Sequence, residues 1–252
     1  MLALDRQKAI VEYLKANHSA TVNALSRKFF ISETSIRRDL TKLERAGFLK
    51  KIHGGAILSE GHNHVLALEA RQNVEKDEKL AIARKAASLI KNGDVVFLDS
   101  SSTVLAMADF LGGFNQLTVI THGLKLADAL SRFPHLKLYL LGGLLNPSLH
   151  SLNGGLTRKN LEGLHADRVF LSPRALDIRR GAFCADEDEA EVRRAMLDRS
   201  GQTILLCSRI KLGTTAPFFL CRLNEIHTLV TDTLPEEESE LKAIIENGVT
   251  VL

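Results

Sequence analysis

Short apolar runs separated by amphipathic helices fill the chain from about residue 76 onward, and this alternation limits the fold more than any other feature. Such runs are typical of strands buried on both faces, and helical connections between them make the strands parallel. Residues 76–252 are therefore predicted to form an α/β domain with a largely parallel sheet covered on both sides. The predicted strands are VVFL (95–98), LTVIT (117–121), LKLYLL (136–141), RVFLS (168–172), TILLC (203–207) and HTLVT (227–231). The predicted helices cover 78–92, 103–111, 124–133 and 187–199, with a last helix from Pro235.

Residues 1–58 follow a different order, with three short helices and then a β-hairpin. Two short strands joined at His53-Gly54-Gly55 follow the last of these helices. This is the order of a winged helix-turn-helix, so the chain is predicted to carry one at its N-terminus, ahead of the larger α/β domain. The three helices are predicted over 5–17, 22–30 and 33–46, with Thr21 and Ser32 as caps of the second and third.

A polar linker, residues 59–75, is predicted between the two parts. Its opening stretch SEGHNH breaks the periodicity, and His62 and His64 have no partner nearby in the sequence, so no metal site is predicted.

The charge balance also changes along the chain. Residues 1–57 hold 11 Lys and Arg against 5 Asp and Glu, whereas the rest holds 22 against 25. A basic head on a mildly acidic body indicates that the head binds a polyanion.

Several protein classes do not fit this composition. No apolar run reaches the ~18–20 residues of a membrane-spanning helix. Charged residues interrupt the N-terminal segment where a secretion signal would need an apolar core. Cys184, Cys207 and Cys221 are an odd number without CxxC spacing, which argues against a disulfide framework and a zinc ribbon. We therefore expect a cytoplasmic protein without a membrane partner.

The third predicted helix carries a face suited to the major groove of DNA. Ile36, Leu40 and Leu43 share one side and are expected to face the core, so that hydroxyls and arginines point outward. Arginine can donate two hydrogen bonds to a guanine edge, and hydroxyls reach bases or phosphates. We predict that Arg38 reads a base and that Arg37 clamps a phosphate. The predicted DNA-binding residues are Thr34, Ser35, Arg37, Arg38, Thr41, Lys42 and Arg45 on the helix and Lys50, Lys51 and His53 on the hairpin.

Polar turns follow three of the strands predicted in the body. Asp99-Ser100-Ser101-Ser102-Thr103 leads into a helix, whose N-terminal amides and hydroxyls suit a phosphate or a polyol. Thr121-His122-Gly123 and Gly142-Gly143 follow the next two strands. Ligands of open α/β sheets bind outside the carboxyl ends of strands, so the three turns together favour a pocket. The alternative is that the hydroxyls only cap a helix. The chain has no GxGxxG or P-loop motif, and no cofactor is predicted.

The stretch SETSIRRDLTKLERAGFLKKIHGGAIL (32–58) resembles the DNA-binding head of the DeoR family of bacterial transcriptional regulators, whose signature includes paired arginines in the reading helix and an HGGA wing turn. The resemblance continues through DVVFLDSSST, LYLLGG and DEAEVRRAM to the C-terminus. It implies an effector domain similar in fold to ribose-5-phosphate isomerase, which binds a phosphorylated sugar or related metabolite. It also implies a repressor of a carbohydrate-metabolism operon that binds double-stranded operator DNA.

The resemblance also implies the residues of the effector pocket, although three positions depart from the family pattern. His122 stands where the family has Asn, Ser208 where it has Asp, and Ser172-Pro173-Arg174 replaces a glycine-rich segment. A more anionic ligand, a different ligand and a degenerate site all fit these changes. The expected effector-binding residues are Asp99, Ser100, Ser101, Ser102, Thr103, Thr121, Gly142, Gly143, Glu189, Arg193 and Lys211, together with His122 and Arg174.

Two other functions remain open. The first is an isomerase-like enzyme with a DNA-binding appendage, for which Asp99 and Glu189 are candidate bases, although Ser208 removes a carboxylate from the expected cluster. The second is a DNA-binding protein with a degenerate effector site. We favour the regulator and predict no enzymatic activity.

One winged head offers only a small interface with DNA, and specific repressors place two heads on two half-sites. We therefore expect a homodimer or homotetramer assembled through the body.

Overall fold

The computed structural model describes residues 3–17, 19–45, 49–58, 68–72, 74–233 and 239–252. The chain forms two compact units, one ending at Val74 and the other beginning at Glu75. His62, His64 and most of the segment predicted as a linker lie outside the described residues, and a short helix, α4 (Leu68–Gln72), forms within that segment. None of the described helices is long and apolar enough to cross a membrane.

The first unit has the predicted winged helix-turn-helix order, three helices and a small antiparallel sheet. The prediction that Thr21 caps the second helix is confirmed, because its Oγ1 accepts a hydrogen bond from the backbone N–H of Ala24 at 3.1 Å. The large apolar side chains between the helices, such as Ile10, Leu14 and Leu25, are fully buried. The elements are α1 (Ala3–Asn17), β1 (Ser19–Thr21), α2 (Val22–Phe29), α3 (Glu33–Arg45), β2 (Leu49–Ile52) and β3 (Gly55–Leu58).

Strand β1 is the element of this unit that the sequence pattern did not predict. It pairs antiparallel with β3, which places β3 in the middle of the order β1-β3-β2. The approach is so close at Gly55 that a Cβ there would lie 2.3 Å from the carbonyl oxygen of Ala20. Gly54 supplies the left-handed turn of the hairpin with a φ of 76°. The HGGA stretch therefore needs both glycines for backbone reasons.

The second unit is built on a seven-stranded sheet, and the predicted parallel arrangement is confirmed. Its order is β15-β14-β12-β9-β4-β5-β6, and every neighbouring pair is parallel. The strands of this sheet are β4 (Val95–Leu98), β5 (Thr118–Thr121), β6 (Lys137–Leu140), β9 (Ala166–Leu171), β12 (Ser200–Leu206), β14 (Thr228–Val230) and β15 (Thr250–Val251). The helices are α5 (Lys76–Ala87), α6 (Ser102–Leu105), α7 (Leu124–Ser131), α8 (Gly155–Asn160), α9 (Glu187–Leu197) and α10 (Ser239–Glu246).

Alternate residues of the central strands pack into two separate cores, one on each face of the sheet. Val96 and Leu98 of β4 belong to the core formed with α5, α6 and α7. Phe97, between them, belongs to the core formed with α9 and α10. Burial on both faces is the physical reason that the strands read as continuous apolar runs. The carboxyl ends of β4, β5, β9 and β12 lead into polar segments.

Several elements of the second unit were not predicted. They are the hairpin β7 (Leu144–Asn146) with β8 (Ser151–Asn153), helix α8, strand β15, and an antiparallel sheet of β10 (Ala175–Asp177), β11 (Gly181–Cys184) and β13 (Phe218–Cys221). Two helix predictions were too long. Helix α5 ends at Ala87 and continues as turns with i→i+3 hydrogen bonds, and the segment after α6 is a 3-10 helix over Ala106–Phe110. The predicted start of the last helix, Pro235, lies outside the described residues.

Candidate functional site

Helix α3 turns one side to the core of the first unit and the other to solvent. Ile36, Leu40 and Leu43 are at most 1% exposed, which confirms the predicted rotation of the helix. Helical spacing alone determined this result, because apolar residues three and four positions apart share a face. Of the predicted DNA-binding residues of the helix, Thr34, Arg37, Arg38 and Lys42 are exposed, Ser35 and Thr41 are half-buried, and the side chain of Arg45 lies outside the described part.

A buried carboxylate fixes α3 against α1. Asp39 is 2% exposed, and its two oxygens accept hydrogen bonds from Arg6 Nε at 2.5 Å and Gln7 Nε2 at 2.9 Å. Asp39 lies on the core side of the helix, next to Leu40. Its negative charge is therefore buried, and Arg6 of α1 neutralises it. The contact sets the orientation of α3 and therefore the direction in which Arg37 and Arg38 point.

The basic side chains of the exposed face differ in their partners. Arg37 Nη2 donates to Glu33 Oε2 at 2.8 Å. Lys51, on the hairpin, donates from Nζ to Thr41 Oγ1 at 3.0 Å and from its backbone N–H to Glu44 Oε1 at 2.7 Å. Arg38 is exposed, and none of the described residues lies at ion-pair or hydrogen-bond distance from its guanidinium. Lys50 and His53 are exposed on the hairpin. Among the described residues, Arg37 therefore has a partner to lose on binding DNA and Arg38 has none.

In the second unit, Asp99 is fully buried where β4 ends and joins three segments. Its Oδ1 accepts a hydrogen bond from the backbone N–H of Ser101, and its Oδ2 accepts one from the backbone N–H of Ser172, both at 2.8 Å. Arg193 Nε of α9 lies 3.1 Å from Oδ2, a contact between charges without hydrogen-bond alignment. The carboxyl ends of β4 and β9 and the inner side of α9 therefore meet at one carboxylate.

Arg193 holds a second carboxylate of the same helix. Its Nη2 donates to Glu189 Oε1 at 3.1 Å, and Ser100 Oγ donates to the same oxygen at 2.9 Å. Burial alone would lower the pKa of Arg193, but the charges of Asp99 and Glu189 outweigh it and hold the pKa above its usual value. The structure thus brings together four residues that the family resemblance implied, Asp99, Ser100, Glu189 and Arg193, in a network sealed from solvent.

His122, beside this network, and Thr157, beside Gly143, each carry a buried polar atom without a partner among the described residues. His122 is fully buried, and its Nδ1 lies 3.2 Å from both the carbonyl oxygen of Leu152 and Asn153 Oδ1. With two acceptors at Nδ1, the proton belongs there, and Nε2 is left as an acceptor without a partner in the described structure. Burial, and then the charge of Arg193, lower the pKa of His122, so that it is neutral. Thr157 Oγ1 is also fully buried and unpaired among the described residues.

Lys211 and Glu75 complete the other side of the site. Lys211 Nζ donates to Ser172 Oγ at 3.0 Å. Ser208 Oγ donates to Glu75 Oε2 at 3.1 Å, and burial raises the pKa of Glu75 while the charge of Lys211 opposes this. A carboxylate oxygen of Glu75 therefore lies beside Ser208, and no local pattern marks this contact because 133 positions separate the two residues.

The remaining predicted pocket residues support the local backbone. Ser101 Oγ accepts from the N–H of Val104 at 3.2 Å, so this serine does cap α6, as the alternative interpretation held. Thr121 Oγ1 accepts from the N–H of Gly123 at 3.0 Å. Ser102 and Thr103 are buried in α6, and the backbone N–H of Gly142 donates to Asn160 Oδ1 at 2.8 Å.

Gly143 and Arg174 complete the predicted set. A Cβ at Gly143 would lie 1.8 Å from Thr157 Oγ1, so only glycine lets α8 approach this turn. Arg174 is half-buried, and its backbone N–H donates to the carbonyl oxygen of Phe183 at 2.8 Å. Sequence reasoning missed Glu75, Asn153 and Thr157, which no motif marks, and it noted Ser172 only as a departure from the family pattern. In the described ranges no group of three or more His, Cys, Asp or Glu side chains is placed to hold a metal ion.

Comparisons with known proteins match both units of the chain. A model of the DeoR-like helix-turn-helix domain matches residues 6–61, and a model of the DeoR C terminal sensor domain matches residues 74–233. The HTH-type transcriptional regulator GolR of Listeria innocua is 35% identical, with 92% of this chain and 91% of the relative covered. The HTH-type transcriptional repressor GlcR of Bacillus subtilis is also 35% identical, with 98% and 95% covered. A solved ribose 5-phosphate isomerase of Methanocaldococcus jannaschii aligns with a TM-score of 0.42 at 15% identity, covering 55% of each chain.

Proposed function

The chain belongs to the DeoR family of DNA-binding transcriptional regulators, and from this premise we propose that it represses a carbohydrate-metabolism operon under the control of a phosphorylated sugar or related metabolite. Its curated relatives are regulators rather than enzymes, and the isomerase alternative is set aside for that reason. The proposal has two parts, a DNA-reading face on the first unit and an effector site in the second. We propose that it acts in the cytoplasm as a homodimer or homotetramer, with two heads on two half-sites.

For the DNA-reading face, the proposal assigns Arg38 to a base edge and the surrounding groups to phosphates. Arg38 is exposed on the side of α3 opposite Ile36 and Leu40, and the buried contact of Asp39 with α1 fixes the helix that carries it. An arginine in that position can donate two hydrogen bonds to a guanine. Phosphate contacts fall to the remaining predicted set: Thr34, Ser35, Arg37, Thr41, Lys42, Arg45, Lys50, Lys51 and His53.

For the effector site, one observation carries the proposal. His122 Nε2 and Thr157 Oγ1 are buried polar atoms without a partner among the described residues, and His122 lies beside the ion pairs of Arg193 with Asp99 and Glu189. Leaving such atoms unpaired is costly, so a ligand that supplies hydroxyl groups would stabilise them. A neutral His122 with its proton on Nδ1 accepts a hydrogen bond at Nε2, which suits the O–H of a sugar or polyol. Asp99 Oδ1, with one hydrogen bond already made, has a second lone pair for another hydroxyl.

The anionic end of the ligand is assigned to Lys211 and to the backbone of the turn after β4. Lys211 contacts Ser172 and so lies near the Asp99 network. Ser100, Ser101, Ser102 and Thr103 bring their backbone groups to the same carboxyl edge of the sheet. Glu189 and Arg193, which are bound to each other, shape the site rather than take the anion. A ligand with hydroxyls at one end and a phosphate at the other fits a site with hydroxyl partners on one side and Lys211 on the other.

Thermal unfolding of the full-length protein tests the effector site. A ligand that binds only the folded state stabilises it by RT ln(1 + [L]/Kd), about 2.7 kcal/mol at a hundredfold excess over Kd. We expect a sugar phosphate from a broad panel to raise the melting temperature, and its unphosphorylated sugar to raise it less. Lys211→Ala and Thr157→Val should remove the shift, whereas the control Lys242→Ala, at an exposed lysine of α10, should keep it.

The same ligand should change operator binding if the protein is a ligand-controlled repressor. Anisotropy titration of operator DNA with and without the ligand measures this change. A panel that gives no thermal shift, with operator binding intact, would favour the degenerate-site alternative. Light scattering that shows a monomer with and without operator would contradict the proposed assembly.

A further inference from the structure

Helix α3 carries a strip of charge along the flank next to its DNA-reading face. At 100° per residue, Glu33, Arg37 and Glu44 lie within about 40° of one another around the helix. Glu33 accepts hydrogen bonds from Arg37 at 2.8 Å and from Asn23 Nδ2 of α2 at 3.4 Å. Glu44 accepts from the backbone N–H of Lys51 at 2.7 Å, and its other oxygen lies 3.7 Å from Lys51 Nζ. Both carboxylates are thus paired with a cation that the proposed function assigns to DNA phosphate.

These pairs are exposed and can exchange partners. The side chains of Arg37 and Glu33 are 61% and 44% exposed, and those of Lys51 and Glu44 are 41% and 36% exposed. Hydrogen bonds from Arg37, and then from Asn23, lower the pKa of Glu33, which is therefore anionic wherever the protein is folded near neutral pH. A DNA phosphate that approaches Arg37 or Lys51 has to displace a carboxylate and then remain near it.

We infer that Glu33 and Glu44 restrain the sequence-independent part of DNA binding, because each holds one phosphate-binding cation of the head until DNA displaces it. The inference rests on the proposed DNA-reading face and adds residues that oppose binding. Non-specific affinity comes almost entirely from phosphate contacts that release counterions. A cation occupied by its own carboxylate releases fewer of them, while the base contact of Arg38 is left unchanged. The carboxylates thereby lower the affinity for DNA of any sequence, and the base contact of Arg38 becomes a larger share of the binding energy at the operator.

The test is binding of the full-length protein to a duplex of unrelated sequence over a range of salt concentrations. Glu33→Gln and Glu44→Gln remove the charge, but they keep an oxygen that can accept from Asn23 and from the backbone of Lys51, so the fold is retained. Each should tighten non-specific binding about twofold to fivefold and steepen the slope of log K against log salt by about 0.9, the contribution of one freed cation. Glu12→Gln, at an exposed carboxylate of α1, changes the net charge equally and serves as the control.

A double-mutant cycle makes the outcome specific to the two pairs. In an Arg37→Ala background Glu33→Gln should have no effect beyond that of Glu12→Gln, and the same holds for Glu44→Gln in a Lys51→Ala background. The inference is overturned if the single variants match the control, or if their effects persist without the paired cation. Weaker binding by Glu33→Gln would also overturn it, because a carboxylate that restrains binding cannot strengthen it. A wild-type protein whose DNA binding does not depend on salt would instead refute the proposed function.

Discussion

The two proposed sites hold their charges in opposite environments. In the head, Arg37 and Lys51 are paired at the surface, and Arg38 has no described partner. In the body, Arg193 is 2% exposed and is enclosed by Asp99 and Glu189. Exposed pairs contribute little to stability and exchange partners readily, whereas a buried cation cannot leave without stranding two carboxylates. The head is therefore suited to changing partners on DNA, whereas the charges of the body are fixed in place by their burial.

One charged residue of the head, Asp39, is buried and paired like the charges of the body. Asp39 is on the same helix as Arg37 and Arg38, yet it is buried against Arg6 and Gln7 and serves to orient the helix. Asp39 and Glu33 carry the same carboxylate charge on the same helix, but Glu33 is half-exposed. The degree of burial separates charges that build the structure from charges that meet a partner.

The largest expected effect tests the buried side of this comparison. Arg193→Met leaves Asp99 and Glu189 buried without a cation, and we expect the free energy of unfolding of the second unit to fall by about 3–5 kcal/mol. The matched change in the head, Arg37→Ala, should cost about 1 kcal/mol or less. Urea denaturation followed by circular dichroism measures both. Similar losses for the two variants would remove the distinction between the sites.

The second prediction concerns Arg38, the exposed charge without a described partner. Arg38→Ala should weaken binding to the cognate operator by about 1–3 kcal/mol and relax the preference at one base pair, because a bidentate base contact is lost. Lys50→Ala should weaken binding to all sequences about equally and flatten the salt dependence. Competition binding at several salt concentrations separates the two patterns. An unchanged preference in Arg38→Ala would place the reading face elsewhere.

The third prediction uses the buried histidine of the body. Burial, and then Arg193, lower the pKa of folded His122 below the 6.5 of an unperturbed histidine. The unfolded state then binds the extra proton, so this contribution to stability is complete above pH 6.5 and is lost as the pH falls toward the lowered pKa, by at most about 1.4 kcal/mol per pH unit. His122→Gln should lose less stability than the wild type between pH 7.5 and pH 5.5. Parallel pH profiles of unfolding would contradict this.

The smallest expected effect tests how freely exposed positions of the head can change. Phe30 ends α2 in the left-handed region, with a φ of 54°, and its side chain is 94% exposed. This conformation is costly for a residue with a Cβ, and glycine adopts it without that cost. Phe30→Gly should therefore stabilise the head by roughly 0.5–1 kcal/mol, as measured by thermal unfolding. A loss of stability would show that the ring makes a packing contribution despite its exposure.

Periodicity predicted the elements whose pattern is local. The apolar run at 95–98 became β4 with the same bounds, and the core side of α3 followed from the spacing of Ile36, Leu40 and Leu43. The hairpin of β7 and β8 was missed because each strand has only three residues and no alternation. The antiparallel sheet was missed because it pairs Cys184 with Phe218, a contact that no local signal marks.

The candidate sites show the same limit. The Glu33–Arg37 pair has the i,i+4 spacing of a helical ion pair and was readable from the sequence, although the analysis of the outward face did not use it. Asp99 stood in a polar turn after a predicted strand, whereas Glu189 and Arg193 came from the family resemblance alone. Glu75 and Thr157 had no such signal, and Ser172 was noted only as a departure from the family pattern. The hydrogen bond of Asp99 to Ser172 spans 73 positions and that of Ser208 to Glu75 spans 133.

By itself, the sequence determined the two-part organisation, the parallel sheet and the face that α3 presents, because hydrophobic spacing acts between near neighbours in the chain. Only the tertiary structure decided which charges are buried and which partner each has. Glu33 and Glu189 are the same residue type on two helices, each four positions before an arginine, yet the first pair is exposed and the second is sealed. The difference arises because burial depends on strands and helices that are distant in sequence, and burial sets the cost of an unpaired charge.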